Sequence, residues 1–187
     1  MIELTGTGLT TEDVVAVARH GAAVTLSAEA RRAMEASAAV VERLAGREEP
    51  AYGVSTGFGS LANVSIPVAR REELQRALVR SHAAGMGPAI EAEVVRAMML
   101  LRARTLSMGC SGARPLLAET MLALLNAGIT PIVPEHGSLG ASGDLAPLAH
   151  CALVLIGEGE VADPGGPPVP AAPRPRASPA PRRGPRR

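Results

Sequence analysis

The 187-residue chain is long enough to bury one hydrophobic core, and an apolar content of 47% excludes a wholly disordered protein. All nineteen basic residues are arginines and six of them follow residue 173, so the net charge of +1 averages an acidic body and a strongly basic tail. One Tyr, one Phe and no Trp favour a mainly α fold over a β-sandwich, because strands are enriched in aromatic and β-branched residues.

Capping residues predict the first two helices. Thr10 and Asp13 have the spacing of a capping box, and the apolar residues that follow at helical intervals stop at Gly21. Ser27 is expected to cap a second helix that ends at Gly46 and has one apolar face.

The helical period is lost between Tyr52 and Asn63. Glycines alternate there with small polar and apolar residues, which indicates a structured loop with tight turns. Pro67 is expected to open the next helix, which closes near Gly85. Its predicted inner face carries Leu74, Leu78, Ser81 and His82.

Three strongly apolar helices are predicted in the second half of the chain. Pro88 is expected to open the first, which we predict to be buried because much of its circumference is apolar. Its main inner stripe comprises Ile90, Val94, Ala97, Met98, Leu101 and Thr105. The others run from Leu116 to Asn126 and from Leu145 to Ile156, with a short extended piece, Ile129 to Val133, between them.

The composition changes after Gly157. The last 24 residues hold nine of the sixteen prolines and no Leu, Ile, Met or aromatic residue, so they cannot offset the entropy lost on ordering. We predict a folded domain over residues 1–160 and a disordered Pro/Arg-rich tail over residues 161–187. The tail arginines lack interleaved aromatic residues, so nucleic-acid binding is not expected.

Signals for metal binding and membrane insertion are lacking in the sequence. Cys110 and Cys151 belong to no CxxC or Cys/His pattern, so we expect both to be buried and no metal site. His20, His136 and His150 are read as surface, loop and helix residues. No apolar run approaches the ~18 residues needed to cross a bilayer, and we expect a soluble, cytoplasmic protein with no membrane contact.

The stretch Gly140-Ala-Ser-Gly-Asp144 permits two interpretations. A run of small residues between glycines is usually a tight turn that leads into a helix. Alternatively, the amide nitrogen of Gly143 attacks the carbonyl carbon of Ala141 and closes a five-membered ring with loss of water. Loss of the Ser142 hydroxyl as a second water then leaves an exocyclic methylene, an electrophile that no standard side chain supplies. Glycine tolerates the bent backbone that this attack requires.

Three ordered patches favour the second interpretation. They are Tyr52-Gly-Val-Ser-Thr-Gly-Phe-Gly59, Ser81-His-Ala-Ala-Gly85 and Gly137-Ser-Leu-Gly-Ala-Ser-Gly-Asp-Leu-Ala-Pro-Leu-Ala149. In this order and at these separations they resemble the N-terminal part of the histidine-specific ammonia-lyases in the aromatic amino acid lyase family, which use a 4-methylidene-imidazol-5-one (MIO) group. The resemblance covers residues 1 to about 160, and one difference is Ser55, where many relatives have Asn.

The resemblance implies a role for each motif residue. Ala141, Ser142 and Gly143 would form MIO autocatalytically, without a metal. Tyr52 would act as the general base that removes the β-proton of the substrate, or would assist that base. A phenol is a poor base at neutral pH, so this role requires a site that favours the phenolate. Asp144 would either assist cyclisation or cap the helix that starts at Leu145.

Ser81 and His82 bear on the choice of substrate. The pair is similar to that of the histidine-specific members, whereas members acting on tyrosine or phenylalanine usually carry a bulkier or more apolar first residue. The resemblance therefore implies elimination of ammonia from L-histidine to give trans-urocanate, with His82 hydrogen-bonded to the substrate imidazole. A lyase or aminomutase for another aromatic amino acid and a non-catalytic fragment are the alternatives.

Length is the main departure from the family. Its members are homotetramers, more than twice as long as this chain, whose sites draw residues from several subunits. The missing part supplies a helical bundle and groups for the substrate carboxylate. A truncated chain would then have doubtful activity alone, and we expect a frameshift in a GC-rich gene near the codons for residues 157–165.

Overall fold

The computed structural model describes residues 1–138, 145–162 and 166–172. This part of the chain is mainly α, as predicted. In chain order the elements are β1 (Ile2–Leu4), α1 (Thr11–Ala18), β2 (Val24–Leu26), α2 (Ala28–Ala45), α3 (Val68–His82), β3 (Met86–Ala89), α4 (Ala92–Ser107), α5 (Pro115–Asn126), β4 (Pro134–His136), α6 (Leu145–Leu155), β5 (Glu160–Val161) and β6 (Val169–Pro170). A 3-10 turn, Gly59–Leu61, lies between α2 and α3.

Side-chain caps begin the first two helices, which confirms both predictions. Thr10 accepts from the Asp13 amide while the Asp13 carboxylate accepts from the Thr10 amide, so the capping box is complete. The Ser27 hydroxyl accepts from the Ala30 amide at 3.1 Å and starts α2. Both caps satisfy amides that a helix leaves without internal partners.

The core is built around α4. This helix packs against α1 and α5, and α2 covers its end. The buried residues of α4 are Val95, Arg96, Met99, Leu100, Ala103, Leu106 and Ser107. Strand β1 pairs in parallel with β2, and the Asn126 side chain at the end of α5 extends this pairing, since its amide group bonds both the N–H and the C=O of Val24 at 2.9 Å.

A buried cation lies at the junction of three helices. The Arg96 guanidinium donates to the carbonyl oxygens of Val17 at 2.9 Å and Ala18 at 3.1 Å, at the end of α1, and of Leu125 at 3.2 Å, near the end of α5. The final carbonyls of a helix lack internal partners and carry its partial negative charge, which compensates the arginine. Arg96 thus ties α1 and α5 to α4.

The start and the buried face of α4 differ from the prediction. Pro88 lies in β3, which pairs antiparallel with β4, and the helix begins at Ala92 instead. The predicted inner stripe is partly open to solvent, since Val94 is 49% and Leu101 is 47% exposed. That stripe lines a groove between α4 and the start of α6, and the opposite apolar face fills the core.

Three smaller predictions also change. Cys110 is exposed, because it lies in the loop between α4 and α5, whereas Cys151 on α6 is buried as expected. His136 belongs to β4 rather than to a loop, whereas Pro131, inside the predicted extended piece, forms an antiparallel bridge with Val161. The predicted tail does not begin as an unpaired chain, because Val161 pairs with Val169. Residues 163–165 and 173–187 lie outside the described part, and the domain boundary at residue 160 stays a prediction.

Candidate functional site

Ser81 and His82 form the last turn of α3. The Ser81 hydroxyl donates to the Leu78 carbonyl at 2.9 Å, and His82 Nδ1 lies 2.9 Å from the same oxygen and 3.1 Å from Ser81 Oγ. A carbonyl oxygen only accepts, so the His82 contact is a hydrogen bond when Nδ1 carries the proton. In the neutral ring Nε2 is then the acceptor. The half-buried imidazole therefore offers a lone pair to a donor such as a ring N–H.

A histidine on α6 holds the backbone that follows this pair. The Gly85 amide donates to His150 Nε2 at 3.1 Å. Burial lowers the pKa of His150 from its ordinary value of 6.5, which favours the neutral ring that this bond requires. A β-carbon at Gly85 would lie 3.0 Å from Nε2 and 3.2 Å from Pro134 Cβ, so the approach depends on the missing side chain.

The residues that flank the cyclisation motif lie close together, next to Gly85. A β-carbon at Gly137 would lie 3.0 Å from Ala146 Cβ and 3.1 Å from Gly85 Cα. Gly137 precedes the motif and Ala146 follows it, so the residues on either side of the motif are close together. The predicted residues Ala141, Ser142, Gly143 and Asp144 themselves lie outside the described residues.

Tyr52 lies in a separate loop. Its ring meets Phe58 edge-on, with centroids 5.9 Å apart, and its hydroxyl accepts from the Gly59 amide at 3.4 Å. The loop is closed by a bridge between Thr56 and Ser65. Both contacts of Tyr52 lie within the loop, and 65% of the residue is exposed to solvent.

Two of the three predicted patches are thus brought together by the fold. The Ser81–Gly85 patch touches the patch that begins at Gly137 and continues into α6. His150 lies one residue beyond the last patch, and no sequence pattern singles it out. An apolar helix face that contains one histidine does not reveal which distant amide it will accept.

The described part of the chain lacks two kinds of feature. Its helices are too short or too polar to cross a membrane. It also contains no group of three or more His, Cys, Asp or Glu side chains arranged to hold a metal ion.

The comparisons with known proteins agree with this geometry. A family profile described as aromatic amino acid lyase matches residues 9–175. A histidine ammonia-lyase from Streptomyces griseus is 61% identical over 164 residues, which are 88% of this chain and 32% of that protein. A probable histidine ammonia-lyase from Halobacterium salinarum is 49% identical over 171 residues, covering 91% of this chain and 32% of its own length.

Solved structures share the fold. A tyrosine aminomutase from Streptomyces globisporus has a TM-score of 0.84 at 42% identity, and a histidine ammonia-lyase from Trypanosoma cruzi has a TM-score of 0.81 at 35% identity. Each comparison covers 91% of this chain and 32% of the other. The helical fold is that of a class of enzymes that act on amino acids. The chain belongs to the aromatic amino acid lyase family.

The length of the match adds two facts. The chain spans about a third of the length of the curated relatives that it matches. The family match runs to residue 175, beyond the end predicted near residue 160, and the paired strands β5 and β6 lie within it.

Proposed function

We propose that this chain is the N-terminal part of an ammonia-lyase that converts L-histidine to trans-urocanate and ammonia. The observation that carries the proposal is the Ser81–His82 turn in a chain 61% identical to a histidine ammonia-lyase over 164 residues. His82 Nε2, left as the acceptor by the Nδ1 contact with the Leu78 carbonyl, complements the ring N–H of a histidine substrate.

The flanks of Ala141-Ser142-Gly143 fit the proposed MIO group. A β-carbon at Gly137 would lie 3.0 Å from Ala146 Cβ, so the residues on either side of the motif are close together, and the attack of the Gly143 nitrogen requires a tight bend. All three side chains are small, which limits crowding around the ring. Ring formation from these three residues needs no metal. When formed, the group supplies an electrophile for a reaction that removes an amino group.

The remaining roles fall to side chains of the chain. His82 would orient the substrate ring through its hydrogen bond. Tyr52 would receive the β-proton, or assist the group that does, and the Gly59 amide that donates to its hydroxyl would stabilise the phenolate. Because Tyr52 faces solvent in its own loop, this role requires a substrate or another subunit to approach that loop.

Intact mass and peptide mapping test the cyclisation. The purified chain is expected to be lighter than its sequence by two waters, with the deficit in the peptide that contains residues 141–143. Ser142→Ala removes the hydroxyl that leaves as the second water, so its peptide must lack the two-water deficit. An unmodified wild-type peptide would contradict the proposal for this chain.

Substrate choice has its own assay. Urocanate formation from L-histidine, followed by its ultraviolet absorbance, is expected to fall at least about tenfold in His82→Ala, since the proposed hydrogen bond to the substrate is lost. His20→Ala, on the exposed surface, serves as the matched control. Turnover of L-tyrosine without turnover of L-histidine would refute the choice of substrate.

A second candidate function is that of an aminomutase for another aromatic amino acid. The 42% identity to a tyrosine aminomutase supports it, and Ser81–His82 argues against it. Formation of a β-amino acid, detected by chromatography, would distinguish it from ammonia release. The proposed assembly is a homotetramer, which size-exclusion chromatography with light scattering tests; a cytoplasmic location stays a prediction.

A further inference from the structure

His150 has no part in the reaction proposed above, yet it makes the one described side-chain hydrogen bond between α6 and the Gly85 backbone. Its Nε2 accepts from the Gly85 amide, three residues after His82. Gly85 in turn lies against Gly137, whose own missing side chain is what admits Gly85 Cα and Ala146 Cβ. His150 therefore contacts the place where the two motif patches meet.

The end of α3 needs such a connection. No residue of this helix is fully buried or belongs to the hydrophobic core cluster, and its packing is against α6. A second tie is the ion pair of Arg80 with Glu158, whose closest N–O distance is 2.6 Å. The Arg80 side chain is 57% exposed, and ion pairs at exposed sites are screened by salt and contribute little. The better shielded tie is the hydrogen bond to His150.

We propose that His150 is a positioning residue that fixes Gly85, and with it the Ser81–His82 turn, against Gly137 at the start of the cyclisation motif. The positioning follows from the described contacts. Its consequence for catalysis rests on the proposed function. The role needs a neutral imidazole with an unprotonated Nε2, and a side-chain amide oxygen at similar reach is able to replace it.

The test compares four versions of the full 187-residue chain. His150→Ala removes the acceptor, His150→Gln retains one, and His20→Ala is an exposed histidine control. Residue-resolved amide exchange by NMR reports on Gly85 and Gly137, and intact mass reports the two-water deficit. Thermal unfolding of each variant establishes that it is folded.

The expected result is specific to the acceptor. Gly85 exchanges at least about fivefold faster in His150→Ala than in wild type, because the hydrogen bond that protects it is gone. The exchange rate stays within about twofold of wild type in His150→Gln and His20→Ala. The modified fraction falls in His150→Ala alone. Should that variant fail to fold, His150→Leu takes its place, since it keeps most of the side-chain volume and lacks an acceptor.

Two results would overturn the inference. One is unchanged Gly85 exchange in a folded variant that lacks the acceptor. The other is equal loss of protection in His150→Gln, which would indicate packing of the ring rather than hydrogen bonding. A wild-type chain without the mass deficit but with acceptor-dependent protection of Gly85 would support the positioning role and count against the proposed cyclisation, so the two ideas fail separately.

Discussion

Replacement of Arg96 by methionine tests whether a buried cation without an acidic partner holds the helices together. Methionine keeps the length of the aliphatic stem and removes all three hydrogen bonds, to Val17, Ala18 and Leu125. A hydrogen bond from a charged donor contributes about 1.5–3 kcal/mol, but removal of the guanidinium also ends its own desolvation penalty. We expect the free energy of unfolding to fall by about 3–5 kcal/mol.

Replacement of Arg96 by lysine distinguishes the effect of the positive charge from that of the hydrogen-bond geometry. A single ammonium group keeps the charge but cannot reproduce the planar guanidinium that reaches two helix ends, so Arg96→Lys should lose about half as much. Arg102→Met, on the exposed side of α4, is the matched control and should change stability by less than about 0.5 kcal/mol. Urea unfolding followed by circular dichroism gives all three values. A loss for Arg96→Met within about 0.5 kcal/mol of the control would refute the reasoning.

Three further predictions concern single side chains. Gly109→Ala places a β-carbon 2.7 Å from the backbone of α2, at a φ of +69°. Gly128→Ala is the control, because its φ of +71° is similar but nothing lies within 4 Å of the added carbon. In urea unfolding, Gly109→Ala should lower the free energy of unfolding by about 1–3 kcal/mol more than Gly128→Ala, and equal losses would contradict this. Burial lowers the pKa of His150 in the folded chain, so as the pH falls below 6.5 the unfolded chain binds the proton first and stability decreases. This decrease in stability should be smaller in His150→Gln. If the urea midpoints of wild type and His150→Gln changed identically with pH, protonation of His150 would not be linked to unfolding. Arg80→Ala should lower the free energy of unfolding only slightly, and the loss should shrink in high salt; a large, salt-independent loss would assign a structural role to that ion pair.

The parts of the fold that sequence predicts are those decided locally. The starts of α1 and α2 depend on Thr10 and Ser27, whose partners lie three residues away, and both predictions are confirmed. The short strands depend on partners far along the chain. β3 pairs with β4 some 50 residues later, and a proline at position 88 reads equally well as a helix start or an edge-strand residue.

The face of α4 shows a different limit of sequence reasoning. Apolar residues occupy most of its circumference, so periodicity cannot decide between the stripe that contains Val94 and the one that contains Val95. The neighbouring helices determine which stripe is buried: α1 and α5 cover Val95, whereas Val94 lines the groove between α4 and α6. Of the candidate site, the sequence motifs identified the Ser81–Gly85 patch and the patch that begins at Gly137, which the fold brings into contact. Their physical link through His150 required three-dimensional contacts.

The lack of fully buried residues in α3 bears on how substrate specificity evolves. Most mutations are limited by their effect on stability, and core positions tolerate the fewest. Ser81 and His82 lie on a helix that contributes nothing to the core cluster, so exchange of these side chains, which we propose contact the substrate, carries little penalty to the scaffold. Such a separation makes this turn an evolvable position, in a family whose solved members include a histidine ammonia-lyase and a tyrosine aminomutase.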